Sequence, residues 1–291
     1  MKKIKDYLLL IKPSLSILVV FSSVVSYLLA PKVVEFDWKM IGLLFAGGML
    51  VTGSANAINQ TKEKDTDAVM KRTRNRPVAA GRMNQEEGWG FAIVTGALGL
   101  FLLGYFFNLL SAGLAAFSLF LYGFIYTPLK KVNSMAVIAG AFPGALPCLI
   151  GWAAGNDQLT VGGWLLFAMQ FLWQFPHFWA IAWIAHKDYT TAGFKLLPSQ
   201  EGPTKFTAIQ TVIYSLLLFP VSLLPYYTGM CRYVGVSGVI CLLLVILANV
   251  FMIMRSFTLY RKMDVSSARK VMFGSYIYLA VVLLAFLLSK A

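Results

Sequence analysis

Charge is what this chain has least of. Only 13% of its 291 residues are Asp, Glu, Lys or Arg, and carboxylates are the scarcer kind, 12 against 25 basic side chains. So thin a polar complement cannot clothe a folded surface of this size in water, which excludes a water-soluble domain. Cysteine is almost absent as well. Cys148, Cys231 and Cys241 stand in or beside apolar runs with no metal-ligand spacing, so they read as small apolar packers. The apolar–polar alternation of a barrel strand is missing, and no internal repeat is evident. The first apolar run is long, is interrupted by Lys12-Pro13 and lacks a small-residue cleavage site, so no cleavable leader is expected.

Apolar residues are abundant instead: 58% of the chain is hydrophobic, 14% aromatic, and the mean hydropathy is +0.71. Nine runs are long enough to cross a hydrocarbon layer, at 7–30, 40–58, 88–107, 109–126, 134–154, 162–185, 206–227, 234–257 and 267–288. In lipid every backbone polar group must be satisfied within its own segment, so each run is expected to be helical. The expected fold is all-α. It is a single polytopic domain over 1–291, a bundle of nine transmembrane helices around a chamber opening to the cytoplasmic side. The least marked division falls between the third and fourth runs, where only Asn108 interrupts the apolarity.

A net charge of +13 raises the question of nucleic acid, and the placement of the charges answers it. Through successive loops the basic residues fall on one side, with only Lys32, Lys39, Arg232 and Lys290 opposite. The positive-inside rule then sets the N-terminus in the cytoplasm and the C-terminus outside. The basicity is topological, no nucleic acid partner is expected, and the lipid bilayer is the chain's surroundings. A bacterial cytoplasmic (inner) membrane is the expected location.

Two loops, 59–87 and 186–205, are longer and more polar than a compact bundle requires, and both face the cytoplasm in this topology. The first sets Asn59, Glu63 and Asp67 four residues apart and follows them with Lys71, Arg72, Arg74 and Arg76. Residues at i, i+4 and i+8 share a helical stripe, so three oxygen-bearing side chains can converge on a hard cation such as Mg²⁺. The guanidinium groups can grip a phosphate. A solvated loop balancing its own lysines would also account for such a run. Against that, Asn56, Asn59 and Glu63 continue one face out of an apolar helix. For the arginines, headgroup contact is the competing account. The second loop carries His186, Lys187, Asp188, Tyr189 and Lys195, after a segment showing Gln170, Gln174 and His177 on one face. Those three side chains either bond between helices or face a cavity. A cation site, guanidinium groups and an apolar chamber together suit the diphosphate of a lipid-soluble molecule, whose departing charge the metal and arginines would neutralise.

Particular stretches resemble the UbiA-type intramembrane prenyltransferases related to 4-hydroxybenzoate polyprenyltransferase, and the resemblance covers essentially the whole chain. Asn59-x3-Glu63-x3-Asp67 is similar to that family's Asn-x3-Asp-x3-Asp pattern, with Glu63 where many members have Asp. The stretch Met70–Pro77 (MKRTRNRP), Lys12-Pro13, Tyr126-Thr127-Pro128-Leu129-Lys130, Gly140–Trp152 (GAFPGALPCLIGW), Trp173–His177 (WQFPH), Lys187-Asp188-Tyr189 and Leu196-Leu197-Pro198 resemble the branch that prenylates haem. A second Asp four residues after Asp188, frequent in the wider family, is replaced by Ala192. The resemblance implies transfer of a farnesyl group from farnesyl diphosphate to the C2 vinyl group of haem b, with water added, giving haem O and diphosphate. It implies Asn59, Glu63, Asp67 and Asp188 as Mg²⁺ ligands and catalytic residues. It further implies Arg72, Arg76 and Lys130 on the diphosphate, with Lys12, Tyr126, Gln174, His177 and Tyr189 as further substrate contacts. His177 is the candidate for touching haem or guiding water. A downstream haem A synthase or the cytochrome oxidase assembly machinery is the implied recipient. A sister enzyme prenylating an aromatic quinone precursor would use the same mouth with another acceptor pocket. A transporter would place its ionisable groups near the membrane midplane, whereas these carboxylates cluster at one mouth.

Overall fold

The computed structural model describes residues 2–199, 201–232 and 234–291. Those residues form helices α1 (Lys2–Ile11), α2 (Pro13–Leu29), α3 (Trp38–Lys62), α4 (Lys64–Val69), α5 (Gln85–Phe106) and α6 (Leu109–Phe120). They continue as α7 (Thr127–Leu129), α8 (Met135–Asn156), α9 (Val161–Ile184), α10 (His186–Thr191), α11 (Lys205–Tyr227), α12 (Gly235–Lys262) and α13 (Val265–Leu288). A single bridge between Cys231 and Lys290 is the extent of strand pairing among the described residues. The all-α expectation holds.

Seven helical stretches are long and apolar enough to cross a membrane, and the pair α1–α2, bent by 44°, raises the number to eight. The remaining apolar run, 162–185, is α9. It has the length, but two glutamines, His177 and four tryptophans make it less apolar than the others. It packs on α8, α11 and α13, so its polar groups meet protein as well as the interior space.

Local chemistry explains the element boundaries. Pro13 opens α2, and Lys12 before it takes a left-handed conformation, φ 48°, which produces the bend that the sequence reading had merged into one run. Side chains of Asp37, Asn84, Asn108 and Asp264 accept backbone N–H groups at the starts of α3, α5, α6 and α13. Asn108, the slender sequence signal between two runs, is therefore a helix cap. Its amide also donates to the Ala153 carbonyl at 2.7 Å, fixing the corner against α8.

Beyond α6 the helix widens into a π-turn over Leu121–Tyr126 before tightening again into α7. Nothing in the apolar run announces that turn. Two glycines set the closest approaches around α8. A Cβ on Gly151 would run into the Ser23 carbonyl of α2, and one on Gly144 into the Gln174 amide of α9. The small residues of the Gly140–Trp152 stretch are what let α2 and α9 lie against α8.

Candidate active site

The mouth of the bundle is built where α3 runs out. Glu63, at φ −96° and ψ 16°, ends α3 and begins α4, so the acidic stripe does not lie on one uninterrupted helix. Its i to i+4 spacing survives the break. The Glu63 N–H donates to the Asn59 carbonyl at 2.9 Å and the Asp67 N–H to the Glu63 carbonyl at 2.7 Å. Asn59, Glu63 and Asp67 therefore stay on one face, and all three are buried.

Each carboxylate has a cation. Arg76 donates to both oxygens of Asp67, at 2.7 and 2.6 Å, from the turn that follows α4. Lys130, just past α7, donates to Glu63 at 2.7 Å. Burial, with Glu63 close by, lifts the Asp67 carboxyl above the usual carboxylate range against the pull of Arg76. Burial would lower the Lys130 ammonium, but the attraction of Glu63 holds it above its ordinary value. Lys130 also lies 4.6 Å from the Tyr126 ring and 5.5 Å from that of Phe194. The Asn59 amide donates to the Thr127 hydroxyl at 3.4 Å.

The two polar loops meet at this mouth. The Arg72 N–H donates to Asp188 at 3.3 Å, and its guanidinium donates to the Tyr189 hydroxyl at 3.3 Å. The Lys195 N–H donates to the Lys130 carbonyl at 2.7 Å, tying the second loop to the lysine that holds Glu63.

Behind the mouth lies a chamber of roughly 350 Å³. Lys12, Asn59, Glu63, Asp67, Arg72, Arg76, Tyr126, Lys130, Gln174, His177 and Tyr189 all line it, so eleven sequence-derived candidates share one space. Asp188 does not line it; it stands behind Arg72. Sequence reasoning missed Tyr122, Met70, Phe194 and Tyr276, which also face the chamber. The π-turn carries Tyr122 and Tyr126 inward together, ring centroids 5.3 Å apart. A widened turn of this kind is invisible to hydropathy.

Deeper in, the polar face of α9 serves two purposes. Gln170 donates to the Ser22 hydroxyl at 3.1 Å and the Gly144 carbonyl at 2.8 Å, and Gln174 donates to the Ala141 carbonyl at 2.8 Å. Their amide nitrogens bond helix to helix. His177 stacks on Trp173 at 4.8 Å and meets the edge of Tyr276 at 4.7 Å. Its Nδ1 lies 2.8 Å from the Ser275 hydroxyl, and that hydroxyl spends its proton on the Met272 carbonyl at 2.7 Å. An imidazole protonated at Nδ1 would donate to that hydroxyl and leave the Nε2 lone pair free.

The donors at the mouth suit a hard divalent cation. Two carboxylates and an amide are oxygen ligands of the kind Mg²⁺ prefers, and all three are buried side chains lining the same chamber. Among the described residues no three His, Cys, Asp or Glu side chains cluster as a ready-made ligand set. Lys130 and Arg76 hold those carboxylates in the structure, so a metal would enter by partner exchange.

A buried mouth of paired charges over an apolar chamber, inside a helical membrane bundle, is the architecture of an intramembrane enzyme. The chain belongs to the UbiA prenyltransferase family, whose profile matches residues 19–287, and it is a transferase. Its relatives narrow the branch. It is 41% identical to the protohaem IX farnesyltransferase of Cytophaga hutchinsonii, over 98% of this chain and 97% of that one. It is 40% identical to that of Flavobacterium johnsoniae, over 98% and 94%. Among solved structures, one described as digeranylgeranylglyceryl phosphate synthase superposes with a TM-score of 0.79 at 22% identity, covering 99% of both chains. A UbiA homologue from Archaeoglobus fulgidus bound to GPP and Mg²⁺ superposes at 0.72 with 16% identity, over 97% and 99%. At these identities the structures speak for the fold alone.

Proposed function

We propose that this chain transfers a farnesyl group from farnesyl diphosphate to the C2 vinyl group of haem b, with addition of water, giving haem O and diphosphate. The observation that carries the reading is the mouth itself: two buried carboxylate–cation pairs at the polar end of an apolar chamber. The relatives' shared name supplies the acceptor.

Farnesyl diphosphate lies with its diphosphate at the mouth and its isoprenoid chain in the chamber. Asn59, Glu63 and Asp67 would hold Mg²⁺, which when bound would supply positive charge to offset that of the leaving diphosphate. Arg76 and Lys130 then exchange their carboxylates for diphosphate oxygens, joined by Arg72, which Asp188 and Tyr189 hold in place. Lys12 brings its amine to the chamber wall. The C1–O bond breaks, its electron pair leaves with the diphosphate, and an allylic cation remains beside the Tyr122 and Tyr126 rings. The vinyl π-electrons form the new C–C bond, and water captures the resulting carbocation, losing a proton. His177 presents the Nε2 lone pair as the group that orients that water or touches the haem. Gln174 shapes the wall through its bond to α8. We place the mouth on the cytoplasmic side of a bacterial inner membrane, and haem O passes on to a downstream haem A synthase or oxidase assembly.

Membranes containing the protein, given haem b, farnesyl diphosphate and Mg²⁺ with and without chelator, test this reading. A chelator-sensitive pigment heavier than haem b by one farnesyl group plus water is expected. If haem stays unmodified while an aromatic acid is prenylated, the haem assignment falls and the mouth's chemistry stands.

A further inference from the structure

A second cavity, about 260 Å³, lies away from the chamber, between the end of α12 and the start of α13. Arg255, Arg269 and Lys270 line it together with Phe251, Phe273 and Ile277. The helices alternate in direction, so this site shares the end of the bundle occupied by the mouth. None of the three cations forms a salt bridge among the described residues, whereas cations at the mouth do. The nearest carboxylate on these elements, Asp264, is spent capping the Ser267 N–H at 2.6 Å.

Arg255 is the unusual member. It sits seven residues inside the end of α12, about 10 Å along the helix. An unpaired guanidinium at that depth in an apolar helix is costly unless it finds an anion. Gly274 makes the room for it: a Cβ there would meet Phe251 at 3.1 Å and the Arg255 stem at 3.6 Å. The guanidinium lies 4.9 Å from the Phe251 ring. Beside the cations, Phe273 and Ile277 are each 56% exposed on the outer face of α13, apolar surface that only a hydrocarbon chain would cover.

We propose that this cavity is a binding site for one anionic phospholipid, its phosphate held by Arg255, Arg269 and Lys270 and an acyl chain lying along Phe273 and Ile277. Charge selects the headgroup and the apolar flank selects a lipid over a soluble anion. The site is separated from the chamber by α13 alone. Gly274 forms the cavity floor, and the next residue, Ser275, bonds His177 and accepts from Trp173. A lipid here therefore braces the helix that orients His177.

Native mass spectrometry of the whole protein in neutral detergent, titrated with phosphatidylglycerol or phosphatidylcholine, tests the proposal. Selective retention of one phosphatidylglycerol is expected. Each cation near a headgroup contributes about five-fold in affinity, so R255Q/R269Q/K270Q should weaken retention roughly a hundred-fold. Removing the same charge elsewhere, by K5Q/K131Q/K205Q, all exposed and away from this cavity, should leave retention unchanged. Equal retention by the first variant, equal loss in both, or displacement of lipid by millimolar inorganic phosphate would each overturn the proposal. So would a second copy of the chain in place of the lipid. If the first variant fails to fold, R269Q/K270Q carries the test, since both side chains are exposed.

Discussion

In the Asp67–Arg76 ion pair one guanidinium nitrogen, Nη1, donates to both oxygens of a fully buried carboxylate. A buried pair of this kind is costly to break from one side, because the remaining charge has no water to turn to. Three substitutions separate its structural from its chemical role. Asp67→Asn keeps the shape and a hydrogen-bond acceptor but removes the negative charge, so turnover should collapse while the protein still reaches the membrane. Near-normal turnover would remove Asp67 from the metal set. Arg76→Ala strands Asp67 and should cost about 3 kcal/mol of stability, read as a lower unfolding midpoint in detergent. Arg76→Lys keeps the charge without the fork; its farnesyl diphosphate affinity should fall by about 1.5 kcal/mol. Unchanged affinity in Arg76→Lys would confine the arginine's role to holding Asp67. The acidic stripe and the arginines were legible in the sequence because their spacing is local. Their pairing was not: Lys130 reaches Glu63 from 67 residues away.

At the scale of elements, the chamber depends on how closely α2 and α9 approach α8. Gly151 is the test position, since an added methyl group meets a backbone carbonyl, which cannot rotate aside as a side chain can. Gly151→Ala should push α2 from α8, lower stability by about 2 kcal/mol and reduce turnover. Gly42 on α3 meets nothing within 4 Å, so Gly42→Ala should be neutral or stabilising by about 0.5 kcal/mol. Thermal unfolding of both variants in the same detergent checks the contrast, and equal effects would refute the packing account. Most of the helices were legible because hydropathy reports burial in lipid or protein directly. Lys12-Pro13 marked the bend between α1 and α2, but the π-turn at Leu121–Tyr126 and the break at Glu63 were not legible, because each changes backbone geometry without a breaker residue. All three bring side chains to the mouth.

Across the whole molecule, α13 packs against α12, α9 and α2, and Lys290 ties its end to α2. The Lys290 ammonium donates to the carbonyls of Leu28 at 2.7 Å, Ala30 at 2.9 Å and Val33, fastening the end of α13 to the end of α2. That latch lies at the end opposite the mouth, on the side where sequence analysis found few basic residues. A lone lysine there works against the charge bias that would orient the chain, and its three carbonyl partners give it a local reason to be present. Orientation therefore rests on the mouth-side cations. A reporter active only outside the cytoplasm should be silent when fused after Pro198 or Met263 and active when fused after Gly229 or at the C-terminus. Reversing that pattern would put the mouth on the outer face and overturn the proposed orientation. Moving basic residues tests the cause. Neutralising Arg261 and Lys262 together should raise outer-face signal from the Met263 fusion, whereas neutralising Lys32 and Lys39 should leave it silent, because the orienting bias would be undiminished.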